Sequence, residues 1–127
     1  MGSPTPQQVL EYVIDAVNDA SDMVGYERAL RDGAFPITAT SVKTCAFRPC
    51  KDARFVATYI LRTHCYRPDR SPYSAEDVAA LLGRKVRAAH YLLQRSNITK
   101  TLERKLAYLV ACKRLTMAGF DLYCPPE

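Results

Sequence analysis

The amino-acid sequence predicts an all-α fold, a helical bundle that contains a helix-turn-helix. Apolar residues recur at the 3.6-residue spacing of helices in several segments, and helix-start signals stand at Thr5 and Ser74. A chain of 127 residues suffices for one domain. Its 48% apolar and 24% charged residues are ordinary proportions for a globular protein. We therefore expect a single helical domain over residues 1–127.

The first predicted element is an acidic helical region over residues 6–40. Thr5 is its N-cap, Pro6 takes the first helical position, and Gln8 closes a capping box. The apolar spacing indicates an amphipathic first helix of about eighteen residues. Acidic side chains occupy its other face, which we expect to turn away from an anionic partner. A short second helix is expected before Gly33.

Prolines and clusters of Ser and Thr predict that residues 34–51 form a loop. We expect its second part, residues 41–51, to be a basic loop that carries Lys43, Arg48 and Lys51. A helix is predicted from Asp52 to Thr63, within a region of residues 52–95 that also holds the helix-turn-helix. A basic linker follows that helix, with Arg67 and Arg70 as its cations.

The helix-turn-helix is predicted over residues 74–95. Ser74 and Asp77 form a capping box at the start of its first helix. Ala79 and Gly83 provide the small contact residue and the turn glycine that two steeply crossing helices need. Ala89 and Leu92 are the predicted core anchors of the second helix. The side chains left outward near the start of that helix are Lys85, Arg87, Ala88 and Tyr91.

A C-terminal helix is predicted over residues 97–118. Its larger apolar residues are expected to face the core, with pairing of two such helices in a dimer as an alternative. These residues are Leu102, Leu106, Leu109, Val110 and Met117.

Charge divides the chain into two parts. Residues 1–40 carry six acidic and two basic residues, a net charge of −4, whereas residues 41–127 carry sixteen basic and seven acidic residues, a net of +9. Such asymmetry favours a surface for an anionic partner, of which nucleic acid is the commonest. A solvated basic face without a partner is the alternative.

The sequence gives little support to membrane, metal or enzyme functions. It has no run of eighteen apolar residues and no secretory signal, so we expect a cytoplasmic protein. Zinc would have to use Cys45, Cys50, His64 and Cys65, whose spacing is poor for chelation. Paired carboxylates, a phosphate loop and a nucleophile motif are lacking. We therefore expect no enzyme activity, no cofactor and no metal.

Two segments resemble a known family. Residues 53–62, which begin Ala53-Arg54-Phe55-Val56-Ala57, are similar to the signature helix of domain IV of the replication initiator DnaA. Residues 74–95 resemble the helix-turn-helix of that domain in order and spacing, and residues 97–118 resemble the extra C-terminal helix of its small stand-alone versions in bacteria and phages. The resemblance covers roughly residues 41–115.

The resemblance implies a Trp-repressor-like helical fold that binds double-stranded DNA. Carried over by position, Arg48 enters the minor groove, with Lys43 and Lys51 near it, and Arg54 holds a phosphate. The family's recognition motif reads Arg-Asp-His-Thr-Thr-Val, whereas residues 84–89 here keep only its first arginine, as Arg84. Lys85 and Arg87 match the acceptors of guanine, and Ala88 matches a thymine methyl.

We therefore expect a double-stranded DNA-binding protein that regulates replication initiation or transcription, in the cytosol of a bacterium or of a phage-infected host. The alternative is a protein-interaction module that keeps the fold and acts on a host protein such as the replication machinery. In that case the acidic first helix is the candidate docking face. Replication or transcription proteins are possible partners under both hypotheses, and the oligomeric state stays open.

Overall fold

A computed structural model describes residues 2–95 and 97–125, and those residues form helices and connections without a strand. The all-α prediction is confirmed. A single 3₁₀ turn, Val24–Tyr26, lies between the first two helices. The α-helices are α1 (Pro6–Asp19), α2 (Glu27–Arg31), α3 (Ala39–Thr44), α4 (Arg48–His64), α5 (Ala75–Leu82), α6 (Val86–Arg95) and α7 (Leu102–Met117).

Helix α4 is the centre of the bundle. It packs against α1, α3, α6 and α7, whereas α1 packs against α7, α3 and α5. The four apolar side chains in the middle of α4 are fully buried, and they are Val56, Ala57, Ile60 and Leu61. Because α1 and α6 both pack on α4, α4 holds the acidic first helix and the second helix of the predicted helix-turn-helix in one bundle.

The two capping boxes anticipated from the sequence are present. The Thr5 hydroxyl accepts from the Gln8 backbone N–H at 3.2 Å, and the Gln8 side chain accepts from the Thr5 N–H at 2.9 Å. Ser74 and Asp77 form the equivalent pair at α5. Such reciprocal bonds satisfy two backbone donors that a helix start leaves unpaired.

The prediction of a loop over residues 34–51 is wrong for most of its basic part. Helix α3 covers Lys43, and a reciprocal pair of bonds between Thr38 and Ser41 caps its start. Helix α4 begins at Arg48, before the predicted Asp52. Pro49 fits the first turn of a helix because backbone N–H groups there have no partner within the helix. Arg48 and Lys51 therefore lie on α4 and not on a loop.

The inward face predicted for α7 is wrong for four of its five residues, whereas the fifth, Val110, is partly buried and packs against the core. Leu102 is 67% exposed and Met117 is 76% exposed, and Leu106 and Leu109 are exposed as well. The opposite face is buried, and it consists of Glu103, Arg104, Ala107, Ala111 and Leu115. The small side chains of the two alanines let α7 approach α1 and α4 closely, and Glu103 and Arg104 are held by ion pairs with Arg48 and Asp52.

No helix in the described part of the chain is long and apolar enough to cross a membrane.

Candidate nucleic-acid interface

The connection between α5 and α6 is a tight turn that depends on glycine. Gly83 caps α5 in the left-handed conformation, with φ of 60°, where a side chain would be strained. The backbone N–H of Arg84 donates to the Ala79 carbonyl at 3.0 Å, which closes the turn. Two residues then lead into α6 at Val86. This geometry follows from the predicted Ala79 and Gly83 pair.

Helix α6 lies on the surface, anchored by few side chains. Ala89 and Leu92 are its buried residues, as predicted. Tyr91 is 52% exposed, and its ring contacts Phe55 of α4 with the centroids 6.5 Å apart. Since most other side chains of α6 are exposed, its first turn is available to a partner.

The predicted DNA-contacting residues at the start of α6 come together in one place. They line a cleft of about 600 Å³, here called the α6 cleft, together with Thr44 and Gly83. Within residues 2–95 and 97–125 no carboxylate lies within 4.0 Å of the charged groups in this cleft. The predicted residues in the α6 cleft are Lys43, Arg84, Lys85, Arg87, Ala88 and Tyr91.

A second recess continues from the α6 cleft along the other side of α6. It is here called the α4–α6 groove, has a volume of about 810 Å³, and shares Arg84, Ala88 and Tyr91 with the cleft. Lys51 and Arg54 line it, so these two predicted residues lie beside the others. The remaining cations of the groove were not predicted from the sequence, and they are Arg95, Lys100 and Arg104.

Arg54 is buried more deeply than an arginine that only contacts a phosphate needs to be. It is 6% exposed, and its Nη1 donates to the carbonyls of Val42 at 2.7 Å and Cys45 at 3.0 Å. Burial lowers the pKa of its guanidinium, and the neighbouring positive charge of Arg84 lowers that pKa further. Arg54 thus ties α3 to α4 and adds positive charge to the floor of the α4–α6 groove.

Arg48 contacts other elements of the bundle. Its guanidinium donates to the Gly25 carbonyl at 2.8 Å and to the Glu103 carboxylate at 3.0 Å. A Cβ on Gly25 would lie 1.3 Å from Glu103 Oε1, so this approach needs glycine. The resemblance implied a minor-groove contact for Arg48, whereas the structure engages its charge in an ion pair with α7.

Arg67 and Arg70 lie outside both recesses. The Arg67 Nε donates to Asp77 at 3.1 Å, and this hydrogen bond raises the pKa of Arg67. Because Asp77 is in the first turn of α5, Arg67 sits about 9 Å along that helix from the turn that leads to α6. Arg70 lines a separate cleft of about 490 Å³ with Arg62.

The cysteines do not assemble a zinc site. Cys50 lies in the first turn of α4 and His64 at its end, so about 21 Å of helix separates them. The His64 ring nitrogens are 2.6 Å from the Tyr123 carbonyl and 2.7 Å from the Tyr108 hydroxyl. All five cysteines are free thiols. The four ligands considered above therefore cannot bind one ion together.

Sequence reasoning missed the part of the surface at the end of α6 and just after it. Arg95 is the last residue of that helix, and Lys100 precedes α7. Arg95 is the last residue of the predicted helix-turn-helix and Lys100 lies beyond it, and only packing of α6 on α4 brings them beside Lys51 and Arg54.

No family model, no curated protein and no solved structure matches the chain.

Proposed function

We propose that this protein binds double-stranded DNA through α5 and α6 acting as a helix-turn-helix. One observation carries the proposal. The exposed start of α6 presents Arg84, Lys85 and Arg87 beside Lys43 of α3, and no carboxylate of the described chain pairs with them. In helix-turn-helix proteins the second helix lies in the major groove and its N-terminal residues contact base edges.

The side chains of the α6 cleft favour phosphate contacts over base recognition. Lys85 and Arg87 can donate to the O6 and N7 acceptors of guanine, and Ala88 can contact a thymine methyl. Val86, 38% exposed, has no hydrogen-bonding side chain. Side chains of this kind contact the phosphate backbone of DNA strongly and make few base-specific contacts. We propose that the resemblance to DnaA domain IV reflects this DNA-binding class and a role in replication initiation or transcription.

The test is fluorescence anisotropy with a labelled duplex at several salt concentrations. Lys85→Ala/Arg87→Ala removes two exposed cations of the α6 cleft. Lys105→Ala/Lys113→Ala is the matched control, because both lysines are exposed on α7 and the change in net charge is the same. With about 0.9 lost per phosphate contact, the cleft variant should reduce the slope of log K against log salt by about 1.8.

Two results would contradict the proposal: no binding of the wild-type protein at low salt, or equal loss of affinity in the cleft variant and the control. A second duplex pair, the initiator's box and its scrambled version, measures base recognition. A preference of about tenfold, which is about 1.4 kcal/mol, would indicate a retained sequence reader.

The exposed apolar face of α7 favours a second candidate, a protein-interaction module. Leu102, Leu106 and Leu109 follow one another at three or four residues, Met117 lies about two turns beyond Leu109, and all four lie on one exposed side of the helix. Lys113 lies within this stripe and Lys105 at its edge. If two copies of α7 paired antiparallel about Leu109, Lys105 of one copy would lie opposite Lys113 of the other, and these like charges would repel each other. We therefore propose an acidic amphipathic helix as the partner chemistry. The acidic face of α1 is the weaker docking candidate, since it lacks such a stripe.

A further inference from the structure

The α4–α6 groove has properties that duplex binding at the α6 cleft does not use. It is bounded by α4, by α6 and by residues that connect α6 to α7, and it has a volume of about 810 Å³. Pockets for small molecules have volumes of about 300–1,000 Å³. Its cationic lining residues are Lys51, Arg54, Arg84, Arg95, Lys100 and Arg104.

The positive charge of the groove is mostly uncompensated. Arg104 is neutralised by Asp52, whose Oδ1 accepts from the Arg104 Nε at 2.6 Å. The other five cations have no carboxylate within 4.0 Å among residues 2–95 and 97–125. None of the described residues that line the groove is acidic. Five positive charges on one concave surface favour an anion that carries several negative charges.

Two guanidinium groups on the groove indicate where that anion would bind. The Nε of Arg84 is buried and has no hydrogen-bond partner within the described chain. Arg54 and Arg84 both line the groove, and burial, followed by the positive charge of Arg84, lowers the pKa of Arg54. A phosphate group between them would accept hydrogen bonds and relieve this repulsion. Unpaired buried donors are costly, and a ligand oxygen is one way to satisfy them.

The shape of the groove favours a small ligand over a duplex. Arg54 and Arg104 are 6% and 8% exposed, so their guanidinium groups form a floor and do not project. A duplex presents its phosphates on a convex, stiff surface, which contacts protruding side chains more readily than a recessed floor. The wall beside the cations is aromatic, formed by Phe55 and the half-exposed Tyr91. An aromatic ring next to phosphate-binding cations suits a nucleobase.

We propose that the α4–α6 groove binds a small polyphosphorylated ligand of the nucleotide class. Its phosphates lie against Arg54, Arg84 and Lys51, and its base lies beside Tyr91. Because Arg84 and Tyr91 also line the α6 cleft, bound ligand competes with DNA. Ligand binding itself does not depend on the proposed DNA function, whereas the competition rests on it.

The test is isothermal titration calorimetry of the full chain with inorganic pyrophosphate and with ATP, in the absence of DNA. Lys51→Gln/Lys100→Gln removes two exposed groove cations that make no ion pair with a described residue. Lys105→Gln/Lys113→Gln removes the same charge from α7. We expect both probes to bind the wild-type protein and the α7 variant alike, and to bind the groove variant at least tenfold more weakly. Circular dichroism checks that both variants keep their helical content.

Tyr91→Ala separates the two halves of the site. It should weaken ATP binding about fivefold or more, since a stacked base contributes about 1–3 kcal/mol, and leave pyrophosphate binding unchanged. Absence of binding of both probes at millimolar concentration and low salt would overturn the proposal. Equal weakening in the groove and α7 variants would also overturn it, because that result indicates general charge attraction.

The two proposals fail separately. Pyrophosphate binding without duplex binding would leave the groove site and remove the DNA function. Duplex binding without pyrophosphate or ATP binding would leave the DNA function and remove the groove site. If both bind, ATP should displace the labelled duplex from the wild-type protein, and lack of displacement would refute the shared use of Arg84 and Tyr91.

Discussion

Removing the buried carboxylate of Asp52 should lower the stability of the bundle more than removing an exposed charge. Asp52 is 1% exposed and accepts hydrogen bonds from the Tyr26 hydroxyl at 2.7 Å and from the Arg104 Nε at 2.6 Å. These bonds join the segment after α1 to α4 and α7. Burial and the charge of Asp52 raise the pKa of Tyr26, so its hydroxyl stays a donor.

Asp52→Ala leaves the guanidinium of Arg104 buried without a counterion. Breaking a buried ion pair in this way costs about 3–5 kcal/mol. For a chain of this size one kcal/mol corresponds to about 3–5 °C, so the melting temperature should fall by about 10–20 °C. Urea unfolding followed by far-UV circular dichroism measures the free energy of unfolding directly.

The control is Asp19→Ala, since Asp19 pairs with Arg114 at 2.7 Å on the exposed surface. Loss of an exposed pair costs at most about 1 kcal/mol. Asp52→Asn, which keeps the shape and a hydrogen-bond acceptor, should lie between the two. If Asp52→Ala fails to fold, Asp52→Asn provides the comparison with Asp19→Ala. An effect of the Asp52 variants no larger than that of the control would refute the role given to this network.

Three further predictions concern the packing of the bundle and its buried thiols. Gly25→Ala should destabilise the protein by about 1–3 kcal/mol in urea unfolding, because the added methyl group displaces the buried Glu103 carboxylate; an unchanged midpoint would contradict this. Burial raises the pKa of Cys65 to about 11 and that of Cys112 to about 12, whereas Cys124 is exposed. A disulfide reagent should therefore modify Cys124 first in the native protein, and fast modification of all thiols would contradict the burial. Because the unfolded thiols ionise at lower pH than the buried ones, the free energy of unfolding should fall as the pH rises above 9.

Local features of the fold could be predicted from the sequence. The capping boxes at Thr5 and Ser74 and the turn at Gly83 depend on residues within four positions of one another. The burial of Ala89 and Leu92 also followed from helical spacing. Such signals need no knowledge of the partner elements, because backbone hydrogen bonds and φ preferences decide them.

The orientation of α7 could not be predicted, because distant residues decide it. A hydrophobic pattern places the large apolar residues inward, yet the ion pairs of Glu103 with Arg48 and of Arg104 with Asp52 turn the opposite face to the core. Charged residues are rarely buried unless they are paired, and the partners here lie about fifty positions away in the chain.

The candidate site was predictable only in part, because local sequence signals decide some of its residues and contacts between distant residues decide the others. Arg84, Lys85 and Arg87 share one cleft at the helix-turn-helix, and Lys43, which was predicted on the basic loop, lies in the same cleft. In the structure Arg48 and Arg67 form ion pairs with carboxylates of the same chain. The sequence alone could not distinguish these paired arginines from unpaired cations. Lys100 joins the site only because the chain after α6 turns back toward α4.

The central claim is that DNA binds at the start of α6. The most direct test is a heteronuclear NMR titration of the isotope-labelled protein with an unlabelled duplex, followed amide by amide. Binding at the α6 cleft predicts the largest shifts at residues 83–91 and at Lys43 and Thr44, with little change along α1 and α7. Shifts confined to α7 or α1, or no shifts at low salt, would contradict the claim and favour the protein-interaction function.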